Sequence, residues 1–209
     1  VENGSINRGV YSIGLDGTKK KLLSNNVGTN TAAFSRNLNY FINTHSSSET
    51  PPTFSLYSAE GEMIKVIKDN TPLQEKLTNY KMSQKYFSTI NINGNDLNMW
   101  MIKPVDFDES NTYPMFMFVY GGPGRQTVEN SYDGFRSMWF QMLANEHNMI
   151  IVSVDNHGTD GRSESFKKST YGQMGKLETV DQTEAAIELS KRSYVCLLYT
   201  SDAADDGTG

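Results

Sequence analysis

The chain has 209 residues, a net charge of −5 and a pI near 5.2. That length suits one or two domains, and the acidic balance argues against a phosphate-backbone binder, which normally presents a basic face. With one cysteine, Cys196, no internal disulfide can form, and the longest apolar run, around Met115–Tyr120, is far too short to cross a bilayer.

Residues 1 to about 70 read as short strands joined by turns. RGVYSIGLDGTKKKLLS predicts a strand near Val10–Ile13, a turn at Asp16-Gly17 and a strand near Lys20–Leu23. TAAFSRNLNYFINTHSSS predicts two more strands around the polar turn Ser35–Asn37, and TFSLYSAEGEMIKVIKD predicts another hairpin turning at Glu60-Gly61. Tyr11 and Tyr57 lie 46 positions apart, close to the period of roughly 40–45 residues of a four-stranded propeller blade. About one and a half blades would fit; a generic antiparallel sheet fits the pattern equally well.

The pattern changes near Tyr80. KYFSTININGNDLNMWMIKP carries Asn93-Gly94, the preferred type I′ hairpin pair. Its second arm alternates, with Leu97, Met99 and Met101 on one face and Trp100 and Ile102 on the other. Pro114–Tyr120 and Met149–Val154 are almost wholly apolar, as strands buried on both faces of a parallel sheet should be. Between them Phe135, Met138, Trp139, Met142 and Leu143 recur at helical spacing and predict one apolar stripe. Asp155–Tyr171 reads as a long polar loop, and Glu178–Lys191 as a helix with acids early and bases at its end. Hairpin, strand, helix, strand, helix is the opening of an α/β domain with a partly parallel sheet.

In open α/β sheets, ligands sit at the carboxyl ends of the strands. Tyr120 and Asp155 both lie at such ends, and Tyr120 is followed at once by Gly121, Gly122, Pro123 and Gly124. Three readings of this loop compete. A phosphate loop needs GxxxxGK[ST] or GxGxxG, and neither is present. A tight strand-to-helix connection needs nothing more. An oxyanion hole would use the Tyr120 hydroxyl as a donor preorganised toward a developing negative charge.

LYSAEGEMIKVIKDN, YPMFMFVYGGPGRQ, IIVSVDNHGTDGR, TYGQMGKLETVDQTEAA and the KRSYV that follows resemble the dipeptidyl peptidase IV branch of the prolyl oligopeptidase family of serine peptidases. The resemblance implies a β-propeller capping an α/β-hydrolase domain, with residues 1–78 the last part of the propeller and 79–195 the first part of the hydrolase. It makes Tyr120 the catalytic oxyanion-hole donor. It also implies release of N-terminal dipeptides with Pro or Ala second, peptide substrates, no cofactor, no metal, no nucleic acid and, for the parent protein, a possible homodimer. Bacterial relatives are often exported to the periplasm or tied to a membrane, but the sequence itself fixes no compartment. One departure is Asp155-Asn156-His157-Gly158, where the family usually has Asp-Gly-Arg-Gly. His157 precedes any nucleophile, whereas in this fold the base comes last, so it reads as a hydrogen-bonded loop histidine, and His45 and His147 as surface residues.

No G-x-S-x-G elbow occurs in the sequence, and nucleophile, acid and base are all missing, as is the family's propeller Glu pair. Residues 196–209, CLLYTSDAADDGTG, read as a translated adapter or vector read-through joined to the frame. The chain by itself is therefore expected to be inactive. Another α/β-hydrolase, such as an acylaminoacyl peptidase or esterase, or a non-catalytic propeller-hydrolase binding protein, would share the same features.

Overall fold

A computed structural model of the chain describes residues 4–196. The expected tail at 196–209 therefore lies outside the described residues, except for Cys196. The chain opens with a small hairpin of β1 (Tyr11–Ser12) and β2 (Lys21–Leu22). Its turn is set by the Asp16 carboxylate, which accepts hydrogen bonds from the Thr18 amide (3.0 Å) and hydroxyl (2.8 Å). Strands β3 (Thr29–Phe34), β4 (Tyr40–Ser46), β5 (Thr53–Ser58) and β6 (Met63–Lys68) then form a four-stranded antiparallel sheet in chain order. One face centres on Phe41, buried between the rings of Phe34 and Tyr57 at 5.0 and 5.1 Å. Beside it two buried asparagines are linked, Asn43 Nδ2 donating to Asn30 Oδ1 at 2.9 Å. By contrast, every residue of β6 is exposed.

A short helix absent from the sequence reading, α1 (Thr71–Leu77), follows with no buried residue. Its signal is Pro72 in the first turn, where a missing N–H costs nothing.

The second region is a five-stranded mixed sheet. β7 (Lys85–Ile92) and β8 (Asn95–Ile102) form the expected hairpin, with Asn93 and Gly94 at φ 50° and 80° as a type I′ turn requires. Then come β9 (Tyr113–Met117), α2 (Phe135–Glu146), β10 (Ile150–Val154), α3 (Glu164–Lys168), α4 (Leu177–Ser190) and β11 (Val195–Cys196). The spatial order is β11-β9-β10-β8-β7. β9 runs parallel to both β10 and β11, while β10 is antiparallel to β8. The alternation read in β8 holds: Leu97, Met99 and Met101 join one apolar cluster with Ala185 and Leu189 of α4, and Trp100 and Ile102 join the other with Phe140 and Ala144 of α2.

Three expectations need correction. The buried face of α2 is Ser137, Phe140, Gln141 and Ala144, whereas Phe135 is 88% exposed and Trp139 and Met142 also face outward. Gln141 is drawn inward because its side chain accepts from the Ser83 amide (2.7 Å) and donates to the Ser83 carbonyl (2.9 Å), satisfying the chain that leads into β7. β9 stops at Met117 and is half-buried beyond Tyr113, because the two-residue β11 is the neighbour on its outer side. The polar loop contains α3, whose N-cap Ser163 accepts from the Phe166 amide.

Residues near the start tie the two regions together. Asn98 Nδ2 donates to Ser5 Oγ (2.7 Å), the Asn130 amide to the Ile6 carbonyl (2.8 Å), and Arg8 pairs with Glu129.

Candidate active site

The loop leaving β9 emerges at the carboxyl end of a strand that has parallel neighbours on both sides, the position where open α/β sheets bind ligands. Phe118 is still held, its amide donating to the Val152 carbonyl and its carbonyl accepting from Ser153 Oγ (2.7 Å). Gly121 and Gly124 then take φ of 75°, a left-handed turn that side chains resist. At Gly122 a Cβ would lie 3.0 Å from Cε1 of Tyr120, so the missing side chain lets the tyrosine ring lie against its own loop.

Residues following β10 brace this loop. Asn156 Nδ2 donates to the Gly121 carbonyl (3.1 Å), and the Gly124 amide donates to the Gly158 carbonyl (2.9 Å). Gln182, on α4, donates to the Val154 carbonyl and to Asn156 Oδ1, which fixes Asn156 in turn. Asp155 is 1% exposed and binds the far end of the loop, accepting from the Thr127 amide (2.8 Å), the Thr127 hydroxyl (2.9 Å) and the Val128 amide (3.2 Å). Burial pushes its carboxyl above the usual carboxylate range, against the pull of the Thr127 and Val128 hydrogen bonds.

Tyr120 stands out from this braced frame, 54% exposed, with the Arg125 guanidinium over its ring at 5.1 Å. Its hydroxyl has no hydrogen bond within the described residues, so a donor held on a rigid loop is free to meet a ligand. His157 lies apart from it. Its Nδ1 is 2.7 Å from Oδ2 of the buried Asp181, the same oxygen accepts from the His157 amide, and its ring stacks on Phe166. It is a hydrogen-bonded loop histidine, more enclosed than a surface one. His147 is exposed, and His45 is half-buried with Nε2 3.0 Å from the Val27 carbonyl.

The sequence reading placed Asp155 at a strand end but missed what it binds, because Thr127 and Val128 lie 28 and 27 residues earlier. It gave no role to Arg125 or Gln182, and named Asn156 only as part of the departure at Asp155–Gly158. The one local signal for them was the chain of polar residues following each apolar strand.

The glycine loop presents an outward hydroxyl at the carboxyl end of a strand with parallel neighbours, the place where open α/β sheets bind ligands. Two family models match the chain: the dipeptidyl peptidase IV (DPP IV) N-terminal region over residues 1–52, and the prolyl oligopeptidase family over residues 134–196. The chain is 30% identical over 199 residues to a probable dipeptidyl-aminopeptidase B of Arthroderma benhamiae, covering 93% of this chain and 22% of that protein. It is 32% identical over 145 residues to dipeptidyl peptidase 4 of Sus scrofa, covering 69% and 18%. The crystal structure of Porphyromonas gingivalis dipeptidyl peptidase 4 superimposes with a TM-score of 0.86 at 39% identity, covering 93% of this chain and 27% of that one. The chain belongs to the dipeptidyl peptidase IV branch of the prolyl oligopeptidase family. It spans about a fifth to a quarter of the length of these relatives.

Proposed function

We propose that the full-length protein carrying this chain is a serine-type exopeptidase that releases N-terminal dipeptides with Pro or Ala in second position, and that Tyr120 supplies one half of its oxyanion hole. Residues 1–78 are read as the end of a propeller and 79–195 as the start of the hydrolase domain. The names of the relatives support the reaction class. The observation that carries the role of Tyr120 is its place between β9, the third strand of the mixed sheet in chain order, and α2, the first long helix of that region. α/β-hydrolases draw one oxyanion donor from that connection.

The register of β11 supports the other half. Val195 pairs with Tyr113 in parallel, so a strand continued in that register would climb beside β9 toward Tyr120. A nucleophile elbow at its end would put a serine next to this hydroxyl. The serine would attack the substrate carbonyl, a histidine would carry its proton to the leaving amine, and Tyr120 would hold the oxyanion. Because the loop is braced before substrate arrives, no reorganisation is needed as the charge develops.

The test is hydrolysis of a Gly-Pro or Ala-Pro chromogenic dipeptide by the full-length enzyme and by its Tyr120→Phe variant. Loss of one oxyanion donor lowers kcat by roughly 100- to 1,000-fold with KM changed little. A Tyr120→Phe enzyme retaining full kcat would remove Tyr120 from the mechanism.

A further inference from the structure

Beside Tyr120 lies a cleft of about 400 Å³ whose charged lining is Arg125, Glu129 and Asp133 of the loop, Arg136 of α2, Asp160 of the loop after β10, and Arg8. Its three acids are engaged with cations: Glu129 with Arg8, Asp133 with Lys85 at 2.9 Å, and Asp160 with Lys167 at 3.3 Å. Two cations are left over. Arg125 lies over the Tyr120 ring and Arg136 over the Phe118 ring at 5.2 Å, and among the described residues neither has a carboxylate within ion-pair distance. An aromatic face holds a guanidinium in place without using its in-plane N–H donors, which remain free for an anion.

We infer that Arg125 and Arg136 form a subsite for a substrate carboxylate that follows the scissile bond. The inference rests on the dipeptidyl peptidase reading above. In that reading Tyr120 meets the scissile carbonyl, and the two residues before the bond are restricted to a free amine and a small or cyclic side chain. An extended peptide advances about 3.3–3.6 Å per residue, so a guanidinium stacked on the tyrosine ring reaches the first one or two residues beyond the bond. The carboxylate comes from an acidic side chain or from the free C-terminus of a short peptide.

The experiment compares kcat/KM of the full-length enzyme on Ala-Pro-Gln-Ala-amide, Ala-Pro-Glu-Ala-amide and Ala-Pro-Gln-Ala with a free carboxylate. At least one carboxylate-bearing peptide is expected to exceed the neutral amide by about fivefold at low salt, as suits an exposed charge pair. Which one does so identifies the source. The ratio falls toward one at about 0.5 M salt and in the R125Q/R136Q variant. Cleavage of all three peptides at equal kcat/KM overturns the subsite while leaving the peptidase reading intact. A ratio that survives R125Q/R136Q also overturns it. Failure to cleave any Ala-Pro peptide overturns the peptidase reading and the subsite together.

Discussion

The antiparallel sheet β3–β6 and the mixed sheet β7–β11 hold together in different ways. The mixed sheet is sandwiched: α4 packs on one face, α2 on the other, and β10, its third strand from either edge, is wholly buried. The antiparallel sheet relies on backbone pairing, one aromatic stack around Phe41 and a buried asparagine pair, and its last strand is open to solvent along its whole length. Burial of apolar area is the dominant favourable contribution to folding, so the mixed sheet should be the more stable of the two. The proposed site is built on it, with the glycine loop anchored to β10.

The largest expected effect is Trp100→Ala. Trp100 is 1% exposed, packs on Phe140 at 5.3 Å, and its Nε1 donates to the Thr127 carbonyl at 3.0 Å. Its loss should cost about 3–5 kcal/mol, and hydrogen exchange should show lost protection across β8 and β10. Phe41→Ala should fall at the low end of that range, about 3 kcal/mol, because its neighbours Phe34 and Tyr57 lie near solvent and can close over the gap. Its exchange effect should stay within β3–β5. If Phe41→Ala strips protection from β10 as fully as Trp100→Ala does, the two regions are one cooperative unit and the contrast fails.

Next comes Asp133→Asn. Lys85 Nζ is almost fully buried, bonded to Asp133 and 5.0 Å from the centre of the Trp100 ring. Removing the partner strands a buried ammonium, which costs about 3 kcal/mol, the low end for buried pairs because Asp133 keeps some contact with water. Chemical denaturation checks this. A loss under 1 kcal/mol would mean that the aromatic face and local water suffice.

How much of this was legible depended on the range of the interaction. The Asn93-Gly94 hairpin and the alternation of Leu97 to Ile102 were readable because turn chemistry and the two-residue strand period are local. The strand around Met115 was readable from its apolar run, but its degree of burial was not, since that depends on β11 some 80 positions later. The stripe on α2 misled because apolar spacing alone did not identify the inward face, which carries Phe140 and Ala144 together with the polar Ser137 and Gln141. Gln141 faces inward by completing the hydrogen bonds of Ser83, a contact that no periodicity encodes. The position of Tyr120 was legible from its strand and glycines, whereas the bracing by Asp155, Asn156 and Gln182 required the fold.

Asp155→Asn should cost about 2 kcal/mol, since an amide nitrogen replaces one acceptor oxygen facing two amides and a hydroxyl. Its pH signature is separable. A carboxyl raised in the folded state binds more protons there than when unfolded, so its contribution to stability is fullest below the ordinary value of 3.8 and is lost as pH rises above it. In denaturation series from about pH 4 to 6, the variant should therefore show a more positive slope of stability against pH than the parent chain. Equal slopes would mean that the loop's hydrogen bonds hold this carboxyl at its ordinary value.

The smallest expected effect on stability is that of Tyr120→Phe, within about 0.5 kcal/mol in either direction. The ring packing against Gly122 and under Arg125 is unchanged by the substitution. The hydroxyl that disappears donates to no described residue, and at 54% exposure the side chain loses no buried partner. A larger destabilisation, measured by melting or denaturant, would reveal an internal hydrogen bond and make this tyrosine a structural residue. A null result sharpens the contrast between the frame and what it carries. Around Tyr120 the sheet, the glycines and Asp155 make contacts within the fold, whereas this one hydroxyl makes no hydrogen bond to a described residue and stands exposed, which leaves it available for the proposed oxyanion role.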